Sequence, residues 1–273
     1  MRHGQHFRRW IRHFVRAVHA AGALSLLFVT GCSPGAPAHG TAFLVALKTN
    51  AVDNIDPNSN HLLHVRDVLR KRLDTLGPNF SIEPVAQERL LIKLPNMGSN
   101  DLETARKLIS KPGLLEFRIV HTNSTRLMEQ GIVEPGYEVL KEEVTLPGGT
   151  REAAMWLVRK SPERGLTGKY IRRAAVHRDP VTKAPQISFE FDQTGARLFE
   201  QVTTDYRPAG DQLFQLAIVL DGELQAVPRI MSPISGGRGM ISGKFTVREA
   251  MALAASIENP VEMPLVILEE KTF

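Results

Sequence analysis

Apolar and polar residues follow two periods along this chain, and the elements they predict come in a regular order. Residues 41–49 (TAFLVALKT) read as a strand, and the Asn- and Pro-containing stretch 50–60 as a loop. From residue 61 to 76, Leu62, Val65, Leu69, Leu73 and Leu76 recur at spacings of three and four, which is one face of a helix. Gly77-Pro78 stops it. Residues 80–95 predict a hairpin with a polar turn at Gln87-Glu88-Arg89. Asn100 reads as the N-cap of a second helix that buries Leu102, Ala105, Leu108 and Ile109 and ends at Pro112-Gly113. Residues 114–120 (LLEFRIV) then supply a fourth strand. The order strand, helix, strand, strand, helix, strand is that of a ferredoxin-like unit.

Periodicity weakens between 121 and 165, where Pro135, Gly136, Pro147, Gly148 and Gly149 interrupt strand candidates at 137–144 and 154–159. A second organised block starts near Gly165. It predicts a strand at 186–191, a helix at about 193–206, and a hairpin with first arm LAIVL and turn Asp221-Gly222. A glycine-rich loop spans 235–243. Thr246 and Glu249 are spaced as a capping box for a helix that buries Ala250, Leu253, Ala254 and Ile257. A last strand follows at 263–268, with Pro260 and Pro264 at its entry, and a lone strand there needs an earlier sheet to return to. The pattern predicts an α+β fold.

Charge changes the picture less than its total suggests. The 273-residue chain has a net charge of +5, but Arg2, Arg8, Arg9, Arg12 and Arg16 lie in the first 31 residues, which hold no Asp or Glu. The 29 basic residues beyond them match the 29 acidic ones, so no general phosphate-binding surface is expected, and no nucleic-acid partner. One cysteine excludes an internal disulfide framework and a multi-cysteine metal site.

That cysteine has a telling position. Residues 1–19 are basic and His-rich, residues 20–30 (AAGALSLLFVT) are apolar and uncharged, and Gly31-Cys32 follows, so residues 1–31 read as a signal peptide. The apolar stretch is short of the ~20 residues that cross a bilayer. Val29-Thr30-Gly31-Cys32 resembles the lipobox of bacterial lipoproteins, which implies a lipid on the Cys32 sulfur. Residues 32–40 then read as a flexible tether.

Longer stretches carry a second resemblance. Residues 216–228 (LAIVLDGELQAVP), 232–257 (SPISGGRGMISGKFTVREAMALAASI) and 264–270 (PLVILEE) are similar to the first large periplasmic domain of SecD, the auxiliary subunit of the bacterial Sec protein-export machinery. The matching features are Leu220-Asp221-Gly222, Val227-Pro228, Pro233-Ile234 before Gly236, Gly237 and Gly239, Gly243 with Phe245-Thr246, Glu249-Ala250, and Glu269-Glu270. Upstream, Arg72-Leu73 with Leu76-Gly77, Leu115-Glu116-Phe117-Arg118, Leu166-Thr167-Gly168, and Gly195-Ala196 with Phe199 fit the same domain. The resemblance implies a ferredoxin-like base (βαββαβ) at 41–121 and 259–273, with an α+β head at 122–258 inserted before the base's last strand. It also implies that the head holds unfolded substrate and swings against the base. The membrane helices that carry proton coupling in the family have no counterpart in this sequence, so the expectation is a tethered domain without a motor.

Other chemistry fits less well. Gly237-Arg238-Gly239 with Gly243-Lys244 imitates a phosphate loop, but Arg238 stands where a Walker loop needs its first glycine and Phe245 where it needs Ser or Thr. No nucleotide and no cofactor are expected. His61 and His64 lie one helical turn apart without an evident third ligand, so no metal is expected. Glu142-Glu143 and Glu269-Glu270 are paired carboxylates, but strand neighbours point to opposite faces. Asp221 reads as a turn former, and no nucleophile constellation is present. Met231, Ile234 and Met240 flank the glycine-rich loop and fit two roles, an adaptable apolar contact surface or head core.

The expected function is therefore that of a non-enzymatic envelope lipoprotein. It would bind unfolded or translocating polypeptide in support of export, beside Sec translocase components, and face the periplasm. Ser33 after the cysteine favours the outer membrane under the common sorting rule. The alternative is an envelope scaffold that contacts a protein partner or a cell-wall component and never handles unfolded chains.

Overall fold

In a computed structural model, residues 39–48, 60–85, 89–145, 151–243, 245–261 and 264–273 are described, and all of them lie in one compact unit, Pro37–Phe273. The signal peptide 1–31 with Cys32, most of the tether, the loop at 51–59, the turn residues Gln87 and Glu88, the glycines at 148 and 149, and Lys244 lie outside the described residues.

The alternation at residue 41 becomes β1 (Gly40–Leu47), and the three-four spacing that follows becomes α1 (Asn60–Leu73), extended by a 3-10 turn to Leu76. The hairpin is β2 (Ser81–Val85) and β3 (Arg89–Pro95), and the next helix is α2 (Ser99–Ser110). It starts one residue before Asn100: Gly98 holds the N-cap position without a side-chain cap, and the Asn100 carbonyl accepts instead from Thr104 Oγ1 at 3.0 Å. After β4 (Leu115–Ile119) come α3 (Ser124–Glu129) and a long hairpin, β5 (Tyr137–Thr145) and β6 (Arg151–Arg159). The chain continues through β7 (Ile171–Arg178), β8 (Pro185–Phe191) and α4 (Gln193–Asp205). The hairpin β9 (Leu216–Leu220) and β10 (Glu223–Ala226), then β11 (Arg238–Ser242), α5 (Val247–Glu258) and β12 (Leu265–Thr272), complete it.

The first sheet is antiparallel in the order β12-β1-β3-β2. Phe43, Val45, Ile92 and Leu94 point to α1 and α2, where they meet Val65, Leu69, Leu73, Leu108 and Ile109 in one core. Each such side chain, fully buried, contributes about 1.5–3 kcal/mol. The fourth strand of this sheet is β12. That is the return to an earlier sheet expected of the last strand, but residues 114–120, read as a strand of the same unit, form β4, which pairs with β9 from Leu115↔Leu220 to Ile119↔Leu216. The reason is the company its apolar face keeps. Phe117 packs against the rings of Phe189, Phe191 and Phe199, with centroids 5.5–6.1 Å apart.

Those rings belong to a second core. It is built from the sheets β10-β9-β4 and β11-β8-β7, with α4 and α5 contributing Phe199, Val202, Ala250 and Ile257. Val120, Val158, Ala217 and Val219 form a smaller cluster under the β5-β6 hairpin. The described fold is thus α+β with several antiparallel sheets.

Three local expectations need correction. Residues 238–242, read as glycine-rich loop, form β11 against β8, and of the glycines there only Gly237 has positive φ, at 60°. Gly239 is required for closeness, because a Cβ at that position overlaps the Phe189 ring. The last strand runs to Thr272, longer than expected, and Phe273 and Gly40 exchange main-chain hydrogen bonds of 2.8 and 2.9 Å at its end. Strand β7 escaped the pattern because a register shift between Ile171 and Arg173 breaks its two-residue period.

Candidate functional site

A buried arginine joins the turns that lead from the first sheet to the second core and back. Arg72 lies in the last turn of α1, and its side chain is fully enclosed. Nε donates to Asn259 O at 2.7 Å, Nη1 to Leu108 O and Lys111 O at 3.0 and 2.6 Å, and Nη2 to Pro112 O at 2.5 Å. The first of these carbonyls follows α5, and the others end or follow α2. One guanidinium therefore ties together the segment that leaves the first sheet for the head and the segment that returns. Burial pushes its pKa down to about 10, against the pull of the Asp221 charge, so it stays a cation at neutral pH.

Asp221 sits in the β9-β10 turn at φ 50° and accepts from the main-chain N–H groups of Leu114 and Gly113 at 2.8 and 3.2 Å. Burial pushes its carboxyl above the usual aspartate value, and those hydrogen bonds with Lys111 and Arg72 oppose the shift. The turn former of the sequence reading is also a clamp on the head's entry segment.

Two concavities border this junction, and a third lies on a sheet of the second core. A groove of about 920 Å³ runs between α2 and α5, with Leu220 and Asp221 along it, and the Asp101–Arg248 ion pair spans its two helices. A second, of about 750 Å³, lies between the end of α1, β7 and α5. A third, of about 640 Å³, lies on the outer face of the sheet β11-β8-β7 and is lined by Arg173, His177, Ser188, Glu190, Arg238 and Met240, among others.

Met231, Ile234 and Met240 are 67%, 37% and 52% exposed, so they are not head core. They do not converge on one concavity. Met240 lines the outer-face hollow opposite Ser188, whereas Ile234 is held beside α4, its N–H donating to Thr203 Oγ1 at 2.9 Å. The paired carboxylates separate as well. An extra residue at Leu268 in β12 brings Glu270, rather than Glu269, opposite Phe43 on the helix-facing side. There Glu270 accepts from Arg106 at 2.5 and 2.9 Å, which holds its carboxyl below the ordinary value, while Glu269 pairs with Lys271. Glu142 accepts from Trp156 Nε1 at 2.8 Å; the Glu143 side chain lies outside the described residues. Among the described residues no cluster of three His, Cys, Asp or Glu groups is placed to hold a metal, His61 and His64 included. No helix among them is long and apolar enough to cross a membrane.

Sequence reasoning assigned no role to Arg72, although a signal was available. On the α1 wheel it falls three residues after Leu69 and four before Leu76, on the apolar face.

Comparison with known proteins gives this geometry a relative. Residues 139–259 match the family described as SecDF, P1 head subdomain. The protein translocase subunit SecD of Magnetococcus marinus is 34% identical over 210 residues, which cover 76% of this chain and 38% of that protein. The chain thus spans about two fifths of the length of such curated relatives. Among solved structures, one of SecDF, called a membrane component that enhances protein export, aligns at 26% identity with a TM-score of 0.57 over 84% of this chain and 98% of its own. SecDF in its super-membrane-facing form aligns at 27% identity with a TM-score of 0.61 over 85% of this chain and 30% of its own. Fold and sequence agree that this chain is homologous to the periplasmic P1 domain of SecD and SecDF, through its head subdomain.

Proposed function

We propose that this protein is a non-enzymatic envelope lipoprotein, anchored through Cys32, that binds unfolded or translocating polypeptide in support of protein export beside Sec components. The observation that carries the binding role is the exposure of Met231, Ile234 and Met240 on a head of SecD type. An unfolded precursor displays apolar side chains in no fixed order, and flexible methionines adapt to such a ligand. Affinity is micromolar or weaker, because a chain ordered on capture loses conformational entropy. The anchor is supported by the order of the leader, basic then apolar then Gly31-Cys32. Ser33 directs the lipoprotein to the outer membrane under the common sorting rule.

Crosslinking in spheroplasts tests the binding role. A secreted precursor carrying photoreactive side chains is expected to form adducts with this protein well above those of an unrelated lipoprotein. Equal yields from the two proteins would overturn the reading.

A further inference from the structure

The head sheet β11-β8-β7 ends in β7, and among the described residues no strand pairs with β7 on its far side. Arg173, Ala175 and His177 lie opposite Glu190, Ser188 and Gln186. The main-chain hydrogen bond from Asp179 N to Ala184 O, 2.8 Å long, sets the alternation of the ladder. The N–H and C=O groups of Ala174, Val176 and Arg178 therefore point away from β8. Ala174 shows this directly, since its N–H faces Glu258 Oε2 at 3.4 Å, a carboxylate of α5 standing where a carbonyl of another strand would stand. The remaining outward groups open on the 750 Å³ groove, whose other walls are Val247, Met251 and Ala255 of α5 and Asp74 beyond α1.

We infer that an extended polypeptide segment of alternating apolar and acidic residues adds to this sheet along β7 as its fourth strand. The inference rests on the polypeptide-binding reading above and assigns it a site. A strand laid there, about 4.8 Å from β7, completes the ladder and points alternate side chains to opposite faces. One row meets Val247 and Met251, each 41% exposed, and calls for apolar residues. The other row lies beside Arg173 and His177 on the outer face. The carboxylate of that hollow, Glu190, is engaged by Arg172 at 2.7 Å and Arg238 at 3.8 Å, and Arg173 forms no salt bridge with the described residues. Acidic side chains complement this row. Because Asp74 follows α1 and Met251 lies in the head, the bound strand touches both parts of the fold.

The test uses the full chain and a fluorescent, end-blocked octapeptide of alternating valine and glutamate, with binding followed by anisotropy. Saturable binding is expected. N-methylation of all valines or of all glutamates should weaken it by about tenfold or more in one case and little in the other, because only one set of amides faces β7. A peptide with lysine for glutamate should bind about tenfold more weakly. Equal binding of all four peptides would overturn the inference, and so would no binding of the first. Val176→Pro removes an outward N–H without touching the ladder to β8, and should lower affinity about tenfold with an unchanged circular-dichroism spectrum. Should that variant misfold, Arg173→Glu serves instead and should reverse the preference between glutamate and lysine peptides. Dimers that form without peptide binding and vanish in Val176→Pro would overturn the inference in favour of self-pairing. If precursor crosslinks persist in Val176→Pro at the wild-type level, the edge assignment falls while polypeptide capture stands. Absence of crosslinks in the unaltered protein removes capture itself.

Discussion

Arg72 stands where a side chain on Gly113 would have to go: a Cβ built on Gly113 lies 2.7 Å from Arg72 Nη2 and overlaps the Ser256 carbonyl. Gly113 also has φ of 78°, a conformation that L side chains rarely adopt. The crossing from α2 to β4 therefore needs a glycine for two independent reasons. The guanidinium beside it holds the carbonyls of Leu108, Lys111, Pro112 and Asn259.

Gly113→Ala should thus cost about 3 kcal/mol or more, since backbone strain adds to a steric overlap with main chain that has little room to move. Gly131 is the control. It has a similar φ of 67° but open space around its missing Cβ, so Gly131→Ala should cost only about 1 kcal/mol. Urea unfolding of the two variants checks the difference.

Arg72→Met keeps much of the apolar stem but takes the guanidinium donor from the carbonyls of Leu108, Lys111 and Asn259, while Pro112 O still accepts from Val261 N at 2.8 Å. A loss of about 3–5 kcal/mol is expected, as for other buried charged networks broken from one side. Arg72→Lys should recover only part of it, because an ammonium group cannot match the spread of the fork. Equal stability of Arg72→Met and wild type in urea would contradict the clamp.

The capping box at the start of α5 makes a prediction about acid. Thr246 Oγ1 accepts from Glu249 N at 3.2 Å, and Glu249 Oε2 accepts from Thr246 N at 2.8 Å. That second bond holds the Glu249 carboxyl below its ordinary 4.5. A carboxyl whose folded pKa is depressed stabilises the fold above its unfolded pKa, and the contribution is lost as pH falls through the folded value. Thr246→Ala should cost about 1 kcal/mol at pH 7. That variant keeps the main-chain N–H that Glu249 accepts from, so the acid-dependent part is read from Glu249→Ala, whose gap to wild type should narrow as pH falls below 4.5 in chemical denaturation over a pH series.

For the proposed anchor, Cys32→Ser decides. Only a thiol accepts the thioether-linked lipid, and serine is a far poorer nucleophile. Metabolic labelling with an alkyne fatty acid should mark the wild type and not the variant. The segment after the leader is formally neutral, so the unlipidated protein has no evident electrostatic hold on anionic lipid. Equal labelling of both proteins, or of neither, removes the anchor.

Much of the local structure was legible in the sequence because it depends on residues a few positions apart. The face of α1, the Asp221-Gly222 hairpin and the Thr246/Glu249 box each close within about one turn of chain, and each stands where the spacing put it. The candidate site was legible only in part. Met231, Ile234 and Met240 were found by residue type, but their exposure, and their separation into loop and sheet face, depended on what the rest of the head covers.

The return of the last strand to an earlier sheet was expected from the sequence, whereas the tertiary structure alone decided which sheet receives β4. A two-residue period states that Phe117 and Ile119 share a face and leaves open which sheet receives them, and the phenylalanine cluster of the head decided that β4 joins β9. The open place beside β1 then went to β12, more than two hundred residues away, with an extra residue at Leu268 that turned Glu270 toward Arg106. Arg72 looked like one more basic residue at the end of a helix, beside Arg70 and Lys71, until α2, α5 and their following turns closed around it. Periodicity fixes the direction in which a side chain points, whereas its partner is set by competition among segments distant in sequence, which local spacing does not record.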